Sequence, residues 1–153
     1  MNANPFDIKT VLLAKHAQHV VLIHFPIALF ITAVAFDFFA HWTKNLALAA
    51  AAYFNLLLAA VSTVPVVVTG VAAWQLALEG QKLKGILLGH LIVGCISSVL
   101  IWLVFWIHLR ARRHPPLPLP NFRLPIEGIA VLLVAWTGHL GGFLSGVNGP
   151  GPG

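Results

Sequence analysis

The sequence predicts an all-α integral membrane protein, a four-helix bundle of up-down topology, on three observations. Of 153 residues 59% are hydrophobic and only 8% charged, whereas a soluble domain carries about 25% charged side chains. The mean hydropathy is +0.90. The nine basic and four acidic residues gather between long apolar runs, so the solvent for most of the chain is lipid. A span needs ~20 apolar residues, and the punctuation supports four spans.

Residues 1–19 form an N-terminal segment in which MNANPFDIKT has little reason to order alone and VLLAKHAQH suits a short interfacial helix. Asp7, Lys9, Lys15 and His16 precede any long apolar run, which does not match a cleavable signal, so the first span is expected to remain as an anchor. The transmembrane domain is expected over residues 20–147. Its first span, 20–42, contains Asp37 and also Pro26, whose missing N–H leaves the Leu22 carbonyl without a helical partner and predicts a kink or a helix start. The second span, 46–78, is free of charge and longer than a bilayer requires, so it tilts, bends at Pro65 or begins at the interface. Glu79, Gly80, Gln81, Lys82 and Lys84 close it. The third span, 85–109, ends on Arg110, Arg112 and Arg113, after which the prolines between 115 and 125 make a stiff, extended connector. The fourth span, 125–147, opens on Pro125, a favourable first-turn residue, and residues 148–153, NGPGPG, form a disordered tail.

Four helices with short loops alternate direction, so the start of the first span, the end of the second, the start of the third and the end of the fourth share one side, side A. Its basic residues are Lys9, Lys15, Lys82 and Lys84; side B holds Lys44, Arg110, Arg112, Arg113 and Arg123. The positive-inside rule then puts side B in the cytoplasm by one charge, and the termini in the periplasm. The formal charge of +5 reflects these loops, and no basic stripe on a soluble element suggests nucleic acid. The single cysteine, Cys95, lies mid-span, which excludes an intramolecular disulfide and reads as a small apolar residue. The serines lie in apolar helices without a neighbouring base, and no carboxylate pair is evident, so no catalytic group is assigned.

The chain has eight histidines, and ionisable groups inside spans are costly enough to suggest function. His24 near the start of the first span, His90 near the start of the third and His139 toward the end of the fourth all fall on side A, roughly 6 to 12 Å below one interface at ~1.5 Å of rise per residue. His90 shares its face with Gly94, Ser97 and His108; His139 is flanked by Gly138, Gly141 and Gly142; Thr63, Gly70 and Trp74 form a stripe on the second span that ends on side A. Small residues let helices or a flat ligand approach closely. Two neutral imidazoles from facing helices are what a six-coordinate b-type haem requires, and imidazoles also bind copper. The competing reading has these histidines bonding backbone carbonyls across helices.

On side B, His41 and His108 lie 17 and 18 residues beyond His24 and His90, a distance of ~25 to 27 Å that places them with the headgroups, beside Trp42 and Trp106. His114 is expected to be solvated in the connector. Asp37, well inside a span, is expected to pair with Lys44 or Arg110, or to serve as a proton site.

The pattern His19-x4-His24-Phe25-Pro26-Ile27-Ala28-Leu29 followed by Asp37, then Thr69-Gly70-x3-Trp74, Gly89-His90 and Gly141-Gly142 resembles the bacterial four-span membrane proteins grouped as domain of unknown function 2231, over residues 19–147. Here Val20 stands where such relatives usually have proline, and His139 precedes the glycine pair. The resemblance implies a multi-pass inner-membrane protein of no settled activity. Some relatives carry Rieske-type iron–sulfur domains, which suggests electron transfer as the setting.

The leading expectation is thus a haem b electron-transfer subunit rather than an enzyme on its own. Its haem is expected on His24 and His90, with His139 or His19 as substitute ligand or hydrogen-bonding partner, and with Trp74, Gly94 and Gly142 lining the site. Its partners would be the lipid bilayer, quinone, and membrane or periplasmic redox proteins. Two alternatives stand beside it: a copper or other metal-binding membrane protein on the same histidines, and a non-catalytic anchor or assembly subunit of a larger redox complex.

Overall fold

The computed structural model describes residues 17–76, 79–80, 82–113 and 118–146. The expected interfacial helix before residue 17, His114 and the tail from 148 lie outside them. Five helices follow in order: α1 (Ala17–Leu22), α2 (His24–Thr43), α3 (Leu46–Leu76), α4 (Gly85–Arg113) and α5 (Arg123–Leu144). The first span, Gln18–Thr43, comprises α1 and α2 together; all four spans are long and apolar enough to cross a membrane.

Local chemistry sets the boundaries. The α1/α2 break falls at Ile23, three residues before Pro26, where the sequence predicts a kink or start. Lys44 takes a left-handed conformation at the end of α2, and Asn45 then caps α3, its Oδ1 accepting from the N–H groups of Ala47 at 2.9 Å and Leu48 at 3.3 Å. Pro65 lies within α3, and the Thr69 hydroxyl donates to the Pro65 carbonyl at 2.7 Å. After α3 the chain turns through positive φ at Glu79 and Gly80, with the Gly80 N–H on the Trp74 carbonyl at 3.1 Å. Relative to the expected spans, α4 continues to Arg113 rather than stopping at 109, and α5 begins at Arg123, so that Pro125 still falls in its first turn. His108 and Glu127 both lie within these helices and are buried in the bundle.

Helices α2 with α3, and α4 with α5, pack as two close hairpins; looser contacts of α3 with α4 and of α2 with α5 join them, leaving α2 and α4 diagonal. The core between the hairpins consists of Phe30 and Ala33 from α2, Leu56, Ala59 and Ala60 from α3, Ile101, Val104 and Phe105 from α4, and Ala130 and Val134 from α5. Alanines dominate the α3 contribution because lipid tails are as apolar as leucine, so close backbone approach and interhelical hydrogen bonds do the holding. Within this core the Trp102 indole N–H donates to Thr63 Oγ1 at 3.0 Å, and Ser97 meets Thr137 at 3.1 Å. The outward surface is apolar, with Leu132, Trp136, Val99 and Trp106 exposed, as a lipid-facing surface requires.

Candidate functional site

Two groups of ionisable side chains lie on opposite sides of this dry core. On side A, His19 of α1 packs against α3 and His90 of α4 packs against α5. The His19 Nδ1–H donates to the Val66 carbonyl at 3.1 Å and lies 3.2 Å from Thr69 Oγ1. The His90 Nδ1–H donates to the Thr137 carbonyl at 3.1 Å. A carbonyl can only accept, so Nδ1 carries the proton in both rings and Nε2 presents a lone pair. Glycines make both seats. A Cβ at Gly70 would fall 2.9 Å from the His19 ring, and one at Gly141 would fall 3.3 Å from the His90 ring. Both imidazoles are half-buried, and they are electrostatic neighbours, one from each hairpin.

The remaining expected side A residues are placed differently. His24 is exposed, and its Nδ1 bonds the Val21 carbonyl of its own turn at 3.3 Å. His139 is exposed and stands edge-on to Phe143 with ring centroids 5.0 Å apart. Gly94 is filled by a neighbouring helix, its would-be Cβ lying 3.5 Å from the Thr137 methyl. Trp74 is half-buried, and its carbonyl belongs to the α3 end turn. Gly142 is half-buried near the end of α5, its carbonyl accepting from Ser145 Oγ at 3.1 Å. His19 and His90 are therefore each held by a neighbouring helix, on α3 and α5 respectively, whereas His24 is exposed and bonds its own turn.

Side B departs furthest from the sequence expectation. Asp37 pairs with neither Lys44 nor Arg110; its Oδ2 accepts from Arg123 Nε at 2.7 Å. His108, expected near the headgroups, is enclosed by the helices at 4% exposure. Its Nε2 is 3.1 Å from Glu127 Oε1 and 3.9 Å from Asp37 Oδ1. Arg123 also donates from Nη1 to the Pro120 carbonyl at 3.3 Å, tying the proline-rich connector to the bundle. Asp37, Arg123 and Glu127 are each at most 2% exposed. Glu127 Oε2 is fully buried and has no hydrogen-bond partner.

His108, Arg123 and Glu127 were missed as a group because each looked like a span-end residue. The signal available was depth. The end of the first span, the end of the third and the start of the fourth meet on side B, so one carboxylate, one histidine and one carboxylate belong to the same layer. The donor atoms of Asp37, His108 and Glu127 lie within 4.8 Å of one another, a spacing a cation can bridge, although the Arg123 guanidinium already neutralises Asp37. Two shallow grooves, one lined by Phe38, His41, Trp42 and Lys44 and the other by Trp106, Leu109, Arg110 and Arg113, open on the side B rim and touch neither group.

No curated protein and no solved structure matches the chain. The four long apolar helices and the motifs carried on them agree with a match of residues 15–150 to the family model DUF2231, described as predicted membrane protein; the chain belongs to that family.

Proposed function

We propose that this chain is a membrane electron-transfer subunit that holds one b-type haem on side A, between the Nε2 atoms of His19 and His90. The observation that carries this reading is the matched preparation of the two rings. Each is fixed by an Nδ1–H bond to a main-chain carbonyl, which sets the tautomer, orients the ring and raises the basicity of Nε2. Each comes from a different hairpin, so a planar macrocycle would enter the looser seam between hairpins without separating tightly packed pairs. His19 replaces His24 as ligand because α3 holds the His19 ring, whereas His24 is exposed and bonds only its own turn.

The bound group would pass single electrons between quinone or a membrane partner and a protein on side A, its potential set by the two imidazoles and the apolar wall. The chain itself supplies orientation and exclusion of water, and needs no general acid or base. The loop charges favour side A as the periplasmic face of a bacterial inner membrane.

Reduced-minus-oxidised spectra of protein purified from haem-replete cells are expected to show the narrow bands of low-spin, six-coordinate haem. His19→Ala and His90→Ala are expected to abolish those bands, while His24→Ala and His139→Ala retain them. A colourless preparation containing stoichiometric copper that both ligand variants lose would replace haem with a metal-carrier function. A colourless, metal-free protein that co-purifies with a larger complex would assign the anchor role.

A further inference from the structure

We infer that Glu127 is a buried carboxylic acid, protonated at neutral pH, and that with His108 it forms a proton-exchange site on side B. The inference does not depend on a haem at side A.

Charge balance leads to it. Asp37 and Arg123, 2.7 Å apart, cancel each other. That leaves Glu127 and His108, 3.1 Å apart and both at most 4% exposed. An ionised Glu127 beside a neutral imidazole would leave one uncompensated negative charge inside the bundle. One added proton removes it, whereas a divalent cation would leave a net positive charge next to Arg123.

The unpartnered oxygen then indicates where the proton sits. If Glu127 were a carboxylate, Oε2 would carry half of a charge with no donor. If Oε1 is protonated and donates to the lone pair of His108 Nε2, Oε2 is a neutral carbonyl oxygen, the cheapest polar atom to leave unpaired.

The same geometry defines the transfer. The proton moves from Glu127 Oε1 to His108 Nε2, the O–H bond breaking as the N–H bond forms. The resulting carboxylate and imidazolium stay adjacent, with Asp37 Oδ1 3.9 Å from the imidazolium nitrogen. The imidazolium then releases its Nδ1 proton to a side B water, which becomes hydronium; in the reverse sequence hydronium protonates Nδ1 and the Nε2 proton returns to Glu127 Oε1, restoring the acid and the neutral ring. Among the described residues of side B no other group competes for this role. Tyr53 is the one titratable side chain on α3, and it lies under Arg112, whose guanidinium is 4.3 Å from its ring centroid. His41 and Lys44 of α2 and Arg110, Arg112 and Arg113 of α4 lie beyond the cluster toward the helix ends, and α5 contributes Arg123 and Glu127 themselves.

Infrared spectroscopy tests this directly, because the chain has only four acidic side chains. Asp37 is ion-paired and Glu79 exposed. Purified protein in lipid nanodiscs at pH 7 is expected to show one carboxylic-acid C=O stretch that shifts on transfer to D2O, disappears in Glu127→Gln, and moves in frequency in Glu127→Asp. Absence of such a band in folded wild-type protein would overturn the inference, as would a band that Glu127→Gln leaves in place. A band that never shifts in D2O would leave Glu127 a sealed structural acid and overturn the exchange role. A stoichiometric divalent metal lost in His108→Ala would overturn the proton assignment altogether.

Discussion

The two ends of the bundle use the same side chain in opposite ways. On side A, His19 and His90 spend Nδ1 on main-chain carbonyls and keep Nε2 for something else. On side B, His108 spends Nε2 on the carboxyl group of Glu127. Half-buried rings held by backbone suit a site that receives a ligand; a ring enclosed by Asp37, Glu127 and Arg123 suits a site that holds charge and protons. The difference teaches that a histidine inside a membrane is defined less by depth than by which of its nitrogens the neighbouring helices engage.

The largest expected effect lies on side B and breaks the comparison at its stability. Arg123→Met leaves the Asp37 carboxylate buried without its partner, and removing one member of a buried ion pair costs about 3–5 kcal/mol. The variant is expected to yield little monodisperse protein in a thermal-shift size-exclusion assay, and Arg123→Met combined with Asp37→Leu is expected to recover much of the loss. The corresponding side A change, His90→Ala, removes one interhelical hydrogen bond, worth about 0.6 kcal/mol in membrane proteins, so it should alter ligand binding while the protein remains folded. Equal destabilisation by the two changes would erase the distinction between the sites.

A smaller effect sharpens the account of side A. Gly70→Ala places a Cβ 2.9 Å from the His19 ring and pushes that ring from its seat, whereas Gly141→Ala meets His90 at 3.3 Å and asks for a shift of tenths of an ångström. Any chromophore or metal held at His19 is expected to be perturbed more by Gly70→Ala than by Gly141→Ala, read as band broadening or reduced occupancy. The reverse order would mean that the glycines serve helix packing alone. The smallest effect tests the dry core between the sites. Thr63→Val removes the acceptor of the Trp102 indole N–H and is expected to lower stability by about 0.6 kcal/mol, with neither end affected.

Much of the fold was legible because it rests on one-dimensional facts. Four apolar runs separated by charge imply four spans, Pro26 marks the break at Ile23, and Pro125 marks the first turn of α5. Depth along the spans also led the sequence to expect His24, His90 and His139 on one face; of these the structure holds His90 against α5, and His24 and His139 are exposed. Which histidines a neighbouring helix engages was not legible: His19 and His24 stand five residues apart, about 140° around the helix, and packing decides that His19 meets α3 while His24 bonds its own turn. His108 and Glu127 lie inside the expected third and fourth spans, but nothing in a single helix shows that the end of one and the start of the other turn these two side chains toward each other.

The sequence by itself determined that this chain lives in lipid, crosses it four times, belongs with the DUF2231 membrane proteins, and carries imidazoles near one face. Those properties follow from composition, span length and rise per residue, which do not depend on partners. Only the tertiary structure decided that Asp37 answers to Arg123, that Glu127 leans on His108 and keeps one oxygen unpaired, and that α3 holds His19 while His24 bonds its own turn. Those are matters of rotation about helix axes and of which hairpin faces which. In a bundle whose outer surface and core are equally apolar, no hydrophobic stripe records that rotation in the sequence.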